Sequence, residues 1–209
     1  MKAKEVNFRS LYHRPIFLKY NSNIRNVMLG IFARIPDMSN GILTYGYIDH
    51  ECGFTFEFLC TAYADKEANI ACMDGIDNAT VKFRMESVSD CEILPAVGIR
   101  TERYQSKIDI INDGYKCTEG VQETRYITGL DDSRNEDYPD DVLVYLLNDT
   151  CRPEGCWVRC EGVTENSIVG VLLNEPNQRF GVHMWDKIYF QLLKEDSGEI
   201  KCIAVFDSQ

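Results

Sequence analysis

Nine cysteines and three histidines are the side chains of this 209-residue sequence best suited to nucleophilic catalysis or metal binding. Residues 49–52 (DHEC) bring a base, two carboxylates and a thiol together, which are the groups that a cysteine hydrolase needs. Neighbouring residues of a strand point to opposite faces, so the path of the following loop decides whether His50 reaches Cys52. A small hydrolase or ligand-binding enzyme that uses His50 and Cys52 is therefore the alternative function.

A zinc site is the second chemistry to consider, because Cys151, Cys156 and Cys160 are close in sequence. In a strand, Cys156 and Cys160 are about 13 Å apart at roughly 3.3 Å per residue, whereas sulfur ligands lie about 2.3 Å from zinc. The sequence also contains no CxxC pair. We predict no metal site and no cofactor, and we expect reduced, largely buried thiols.

An acidic segment covers residues 130–141 (LDDSRNEDYPDD). It is unlike a calcium loop, because the sixth and twelfth positions counted from Asp131 are Glu136 and Val142 instead of glycine and glutamate. We interpret it as a linker or long surface loop whose carboxylates attract a basic protein partner. The candidate partner-binding residues in it are Asp131, Asp132, Glu136, Asp137, Tyr138, Asp140 and Asp141.

The formal net charge of −11 is unevenly distributed. Through residue 34 there are seven basic residues and one acidic residue, whereas from Glu123 onward there are 17 acidic and 8 basic residues. Phosphate attraction supplies most nonspecific affinity for nucleic acid, so direct nucleic-acid binding is disfavoured. An acidic face either attracts a basic protein or mimics nucleic acid, whereas charge alone favours the third interpretation, ordinary solubility.

Targeting and membrane segments are not evident in the sequence. The longest apolar run among the first twenty residues is 16–18, which is far shorter than the core of a signal peptide. No window approaches the roughly 20 apolar residues of a membrane span. We expect a cytoplasmic protein that does not bind membranes.

Residues 156–193 contain a pattern of strand and turn residues. Trp157 and Val158 open a strand, Gly170 precedes Leu172 by two positions, residues 174–176 (NEP) form a turn, and a further apolar strand starts near residue 186. This block resembles the C-terminal part of the uncharacterised bacterial family called domain of unknown function 2314. The resemblance covers less than a quarter of the chain. It implies a bacterial protein, and some relatives resemble immunity proteins encoded beside toxins.

The physical interpretation of the same block adds three candidate partner-binding residues: Asn174, Glu175 and Trp185. The turn at residues 174–177 forms because Glu175 before proline favours an extended backbone and asparagine tolerates turn geometry. This turn is either structural or a binding loop. Trp185 is either a core residue or an anchor for a partner, since large aromatic side chains dominate many binding energies.

Alternating apolar residues and turn formers predict a β-rich protein. The strands predicted before the acidic segment are residues 23–35, 42–48, 54–63, 79–85, 99–104, 107–111 and 123–127. Those predicted after it are residues 155–161, 167–173, 186–193 and 200–206. Short helices are predicted at residues 62–70 and 142–148, the second because an aspartate after Pro139 is a suitable N-cap.

The predicted fold class is α+β, a predominantly antiparallel β-sheet with few short helices. The predicted organisation is an N-terminal β-rich region over residues 1–129, the acidic segment over 130–141 and a small β domain over 142–209. The predicted function is a non-catalytic protein-binding module, of the immunity or antitoxin type, that uses an acidic surface.

Overall fold

The computed structural model describes residues 1–32, 35–73 and 80–207. The chain divides into two compact units, Met1–Lys116 and Cys117–Gln209. Both units consist mainly of antiparallel strands with a few short helices, so the predicted α+β, predominantly antiparallel fold class is confirmed. Every helix in the described ranges is too short or too polar to traverse a bilayer.

Six strands form the sheet of the first unit among the residues that the structure describes. They are β1 (Arg14–Lys19), β2 (Gly41–Asp49), β3 (Gly53–Ala64), β4 (Ile70–Cys72), β5 (Lys82–Arg84) and β6 (Ile93–Pro95). Their order is β4-β3-β2-β1-β6, and β5 also pairs with β3. The strands predicted at residues 42–48 and 54–63 are confirmed as β2 and β3. Of the strand predicted at residues 79–85, β5 is present and residue 79 lies outside the described residues.

The two faces of this sheet bury different sets of side chains. On one face, Phe54 and Phe58 are fully buried and pack with helices α1 (Ser22–Ile31) and α2 (Met85–Val88). The other face packs against α3 (Gln105–Gly114). Since successive residues of a strand point to opposite faces, the single strand β3 contributes to both cores.

Helix α1 lies where a strand was predicted over residues 23–35. Its buried residues Ile24 and Met28 are about one helical turn apart, and Asn21 Oδ1 accepts a hydrogen bond of 2.8 Å from Ile24 N. This spacing and this cap both favour a helix. The strand prediction was wrong because it relied on the apolar content of the segment and not on its periodicity. Residues 33–34 of that prediction lie outside the described residues.

Three further predictions in the first unit were wrong. The strands predicted at residues 99–104 and 107–111 are a 3-10 turn, Glu102–Tyr104, followed by α3. The buried residues of α3, Ile108 and Ile111, are three positions apart, as on one face of a helix. The helix predicted at residues 62–70 is instead the end of β3, a turn and the start of β4.

Five strands of the second unit close into a barrel. They are β7 (Asp141–Leu147), β8 (Glu154–Val163), β9 (Ile168–Leu172), β10 (Lys187–Lys194) and β11 (Ile200–Val205). Successive strands pair antiparallel, and β7 pairs with β11 in parallel. A meander with an odd number of strands closes this way because its first and last strands run in the same direction. The four strands predicted after residue 150 are confirmed.

Alternating side chains fill the barrel interior. In β7 the fully buried residues are Val142, Val144 and Leu146, and β8 contributes the buried thiols Cys156 and Cys160. This period of two is that of a strand. The helix predicted at residues 142–148 was therefore wrong, because the prediction gave the N-cap signal more weight than the alternation.

Close backbone packing in the second unit depends on glycine. A Cβ at Gly170 in β9 would lie 2.4 Å from the Arg159 carbonyl oxygen, so no larger residue fits where β8 and β9 meet. A Cβ at Gly120 would lie 3.0 Å from the Cα of Gly162 in β8. The glycines at positions 120 and 162 thus let a helix approach the barrel wall closely.

That helix is α4 (Glu119–Tyr126), which lies where a strand was predicted over residues 123–127. Thr118 caps it by accepting a hydrogen bond of 3.2 Å from Val121 N. The 3-10 helix Thr128–Ser133 follows, and both helices pack against barrel strands. The boundary between the two units therefore lies after Lys116. The boundary predicted from the sequence was later, after residue 129.

Candidate functional site

The loop of residues 173–186 joins β9 to β10 and carries three of the predicted partner-binding residues. The first of them, Asn174, accepts a hydrogen bond of 2.7 Å from Trp157 N through its Oδ1. The Trp157 carbonyl oxygen in turn accepts a hydrogen bond from Leu173 N. Asn174 therefore extends the pairing of β8 beyond the end of β9 and fixes the start of the loop.

Glu175 fixes the far end of the same loop. Its Oε2 accepts a hydrogen bond of 2.8 Å from Met184 N, and its Oε1 lies 2.7 Å from His183 Nδ1. These bonds, from the Met184 amide first and from His183 next, lower the pKa of Glu175 below its usual value. The carboxylate in turn raises the pKa of His183 above 6.5. Asp186 completes the arrangement by accepting a hydrogen bond of 2.7 Å from His183 N.

Trp185 is held on the outside of the barrel. Its amide donates a hydrogen bond of 2.7 Å to the Leu172 carbonyl oxygen, and its φ of +75° is in the left-handed region. Its side chain is 64% exposed, so it is not a core residue. Met184 and Trp157, which borders the same end of β9, are also exposed. We call Trp157, Met184 and Trp185 the tryptophan face.

The acidic segment is folded onto the barrel by arginines. Arg125 of α4 is 1% exposed, and its Nε and Nη2 donate hydrogen bonds of 2.8 and 2.7 Å to the two carboxylate oxygens of Asp140. Asp141 is also buried, and its Oδ1 lies 2.9 Å from Arg159 Nε. Since each of these two carboxylates is buried beside an arginine, neither adds net charge to the surface. The predicted steering role therefore does not extend to Asp140 and Asp141.

The remaining predicted residues of the segment are more accessible. Asp131 is partly exposed and lies 3.3 Å from Arg134 Nε, while Asp132 and Glu136 are exposed. Asn135 Oδ1 accepts hydrogen bonds from the amides of Asp137 and Tyr138, and both residues are half-buried. Steering charge from this segment thus comes mainly from Asp132 and Glu136.

Comparisons with protein-family models, curated proteins and solved structures gave no match to this chain. The resemblance of residues 156–193 to domain of unknown function 2314 stays a prediction that depends on those residues alone. The function of this chain is therefore inferred from its own side chains.

The residues of the alternative hydrolase lie in the turn between β2 and β3. Asp49 Oδ1 accepts hydrogen bonds from the amides of Glu51 and Cys52, and the Cys52 side chain is exposed. Asp49 also pairs with Arg84 at 3.1 Å, so its carboxylate is occupied by the hairpin and by β5. These contacts show that the Asp49 carboxylate stabilises the turn between β2 and β3. Among the described residues there is no group of three or more histidine, cysteine or acidic side chains that could hold a metal ion.

A buried carboxylate in the first unit was missed by the sequence reasoning. Glu57 of β3 is 2% exposed, and its Oε1 lies 3.4 Å from Lys107 Nζ of α3. Burial raises the pKa of Glu57, whereas Lys107 and the more distant Lys82 oppose that rise. The signal in the sequence was a single charged residue within the otherwise apolar and aromatic strand FTFEFLC.

Proposed function

We propose that the second unit is a non-catalytic module that binds a basic protein partner, in the manner of an immunity or antitoxin-like inhibitor. The tryptophan face is the observation that carries this proposal. Both tryptophans of the chain lie on the outside of the barrel, at the same end of β9, although burying them would stabilise the fold. Tryptophan is the residue type most enriched among the dominant contributors to binding.

The loop that presents Trp185 supports the same function. A hydrogen bond to Asn174 fixes its start and hydrogen bonds to Glu175 and Asp186 fix its far end, so Trp185 is held in one backbone conformation before any partner arrives. A bulky residue with positive φ is strained, and strain of this kind concentrates at functional sites. A rigid aromatic anchor loses little conformational freedom on binding, which favours affinity.

Charge supports a basic partner. The second unit contains 18 acidic and 8 basic residues, for a formal net charge of −10. Glu175 and Asp186, which border the tryptophan face, are both exposed. Carboxylates around an apolar centre attract a cationic surface and raise the association rate.

The cellular setting proposed is the bacterial cytoplasm. All nine cysteines carry free thiols, which agrees with a reducing compartment. The bacterial source rests on the resemblance of residues 156–193 to domain of unknown function 2314.

A pull-down from the native host tests the proposal. The full chain, immobilised through a terminal tag, is incubated with lysate, washed at low and then high salt, and the retained proteins are identified by mass spectrometry. We expect one stoichiometric partner with a basic surface that is released by salt. Trp185→Ala should reduce its recovery at least tenfold, since loss of a central aromatic anchor costs about 2 kcal/mol or more.

The matched control is Tyr126→Ala. Tyr126 is 66% exposed on α4 and lies outside the tryptophan face, so its removal should leave recovery of the partner unchanged. Circular dichroism of both variants confirms that each is folded. A partner that is retained equally by both variants, or no partner at either salt concentration, would show that the tryptophan face is not a binding surface.

A further inference from the structure

Two cysteines of the first unit share one face of adjacent strands. Cys72 of β4 pairs with Ala62 of β3, and Cys60 lies two residues earlier on β3, so both thiols project from the same side of the sheet. The two thiols are close enough for each to shift the pKa of the other, that of Cys60 upward and that of Cys72 downward. Cys60 is fully buried, whereas Cys72 is exposed. One thiol of the pair therefore faces the core and the other faces solvent.

Polar groups of the neighbouring 3-10 turn surround this pair. The Tyr104 hydroxyl is buried without a nitrogen or oxygen partner, and its side chain interacts with the Cys60 thiol. The guanidinium of Arg103 favours the thiolate forms of Cys60 and Cys72 through its charge. These are the surroundings that lower the cost of a negative charge on sulfur.

A cleft gives small molecules access to Cys72. It has a volume of about 440 Å³ and is lined by residues that include Cys72, Asn69, Gly98 and Arg100. Cys60 is not among the lining residues. A reagent that enters the cleft meets Cys72 first.

Titration of the pair follows from the same contacts. The hydrogen bond from Cys60 lowers the pKa of Cys72 to about 7, with a further contribution from Arg103, although partial burial opposes it. The hydrogen bond with Cys72 and burial both raise the pKa of Cys60. The thiolate of Cys72 is therefore more populated near neutral pH than that of an ordinary cysteine of pKa about 8.5.

We propose that Cys72 is a site of oxidation by hydroperoxides and that Cys60 is the thiol that resolves it. The Cys72 thiolate attacks one peroxide oxygen, the O–O bond breaks, and for hydrogen peroxide the products are a sulfenic acid and hydroxide. The Cys60 thiol then attacks the Cys72 sulfur, forms the S–S bond and releases water. Overall, two thiols lose two electrons and one hydrogen peroxide is reduced to two waters. This proposal is independent of the function proposed for the second unit.

The strand that carries Cys72 is suited to this change. β4 has three residues and lies at the end of the sheet, with β3 as its partner there. A short edge strand held by few hydrogen bonds shifts at low cost, and such a shift brings the sulfur of Cys72 to bonding distance of the Cys60 sulfur on the same face. The reaction therefore leaves the long central hairpin in place.

The test uses the reduced full-length protein and one equivalent of hydrogen peroxide at pH 7, with free thiols counted and the cross-link located by peptide mass spectrometry. We expect the loss of two thiols per chain, a Cys60–Cys72 cross-link and full recovery with dithiothreitol. In Cys60→Ser, the sulfenic acid should persist at Cys72, where dimedone traps it. In Cys72→Ser, the first phase of oxidation should be at least tenfold slower, since the activated thiolate is gone.

Cys52→Ser is the matched control, because Cys52 is an exposed thiol in the β2–β3 turn. This variant should oxidise like the unmodified protein. The proposal is overturned if Cys52 and Cys72 are oxidised at equal rates, or if the cross-link joins other cysteines. Alkylation of Cys72 by iodoacetamide adds a readout that does not depend on peroxide, and its rate should rise with a midpoint near pH 7.

Discussion

Trp185 combines a left-handed backbone with a large exposed side chain. A left-handed conformation costs a residue other than glycine about 1–2 kcal/mol. Little burial offsets that cost, because the side chain is 64% exposed. Trp185 therefore destabilises the fold. Residues that destabilise the folded state in this way are concentrated at functional sites.

Replacing Trp185 by glycine and by alanine separates the strain from the side chain. Trp185→Gly should be more stable than Trp185→Ala by about 0.5–1 kcal/mol, because glycine adopts φ of +75° without strain and this outweighs its greater freedom when unfolded. Urea unfolding measures the difference. At Tyr189 in β10, which is also exposed, the order should reverse, since glycine weakens a strand. If Trp185→Gly were less stable than Trp185→Ala, the order expected at Tyr189, then Trp185 would not be strained.

The Glu175–His183 pair gives the loop a defined pH range. The pKa of His183 is raised, so the stability that this side chain adds to the fold is complete below pH 6.5. That stability is lost as the pH rises through the raised pKa. The pKa of Glu175 is lowered, so its contribution is complete above pH 4.5 and is lost as the pH falls through the lowered value. Both contributions are therefore complete between about pH 4.5 and 6.5.

Titration of the His183 ring by NMR checks this interpretation. Glu175→Gln should lower the pKa of His183 towards 6.5, because both the hydrogen bond and the attraction of the carboxylate charge are removed. Glu165 is exposed in the turn between β8 and β9. Glu165→Gln removes one carboxylate charge there and should leave the pKa of His183 unchanged. An unchanged His183 pKa in Glu175→Gln would mean that the pair does not form in solution.

At the scale of elements, Arg125 connects helix α4 to the acidic segment. Its guanidinium is buried, makes two hydrogen bonds with Asp140, and donates a third from Nη1 to Cys117 Sγ. Next to it, Arg134 donates a hydrogen bond of 2.6 Å to the Thr124 carbonyl oxygen at the end of the same helix. The segment that looked like a linker is therefore part of the unit that contains the barrel.

Removal of one partner of the buried pair should be costly. Asp140→Ala should lower the free energy of unfolding by about 3–5 kcal/mol, because it leaves the Arg125 charge buried without its carboxylate. Asp132 of the same segment is exposed, so Asp132→Ala should change the free energy of unfolding by no more than about 0.5 kcal/mol. Combining Arg125→Met with Asp140→Leu should restore much of the lost stability. Equal stability of Asp132→Ala and Asp140→Ala in urea would contradict the pairing.

Strands with clear alternation were predictable, and helices with apolar sequences were not. The barrel strands and the hairpin β2–β3 have turn residues on both sides and a period of two, so their signals are local. Helix α1 contains β-branched and apolar residues that also suit a strand, and its identity depends on Ile24 and Met28 meeting one core. The spacing of Ile24 and Met28 and the Asn21 cap are local signals for the helix, but the apolar content of the segment, which equally suits a strand, obscured them.

The candidate site shows the same division. Exposure of Trp185 could not be predicted, because it depends on how the loop of residues 173–186 crosses the end of the barrel. Burial of Asp140 and Asp141 depends on two arginines, one preceding the acidic segment and the other following it, which no spacing rule joins. Glu175, in contrast, was found from the turn chemistry before Pro176.

At the scale of the whole molecule, charge is concentrated in one unit. The second unit carries a formal charge of −10 out of a total of −11, so the first unit is close to neutral. Both tryptophans also lie in the second unit. Tryptophan fluorescence of the full chain therefore reports on the acidic unit alone.

Titration with poly-lysine and with duplex DNA checks the class of partner. Poly-lysine should change the tryptophan fluorescence at low salt, and the effect should weaken steeply between roughly 50 and 200 mM salt as the charges are screened. Duplex DNA should produce no change under the same conditions, because like charges repel. Poly-glutamate is the control for nonspecific effects of a polymer. A response to DNA that equals the response to poly-lysine would contradict a basic partner.

The parallel pair of β7 and β11 also has a consequence for biosynthesis. These strands join residues as distant as Val144 and Cys202, so the seam is the contact of highest sequence separation within the barrel. While the nascent chain is emerging from the ribosome, the hairpins between β7 and β10 form first, and the edge of β7 stays open until β11 has left the exit tunnel. We therefore expect the second unit to resist aggregation and proteolysis only once β11 has paired with β7.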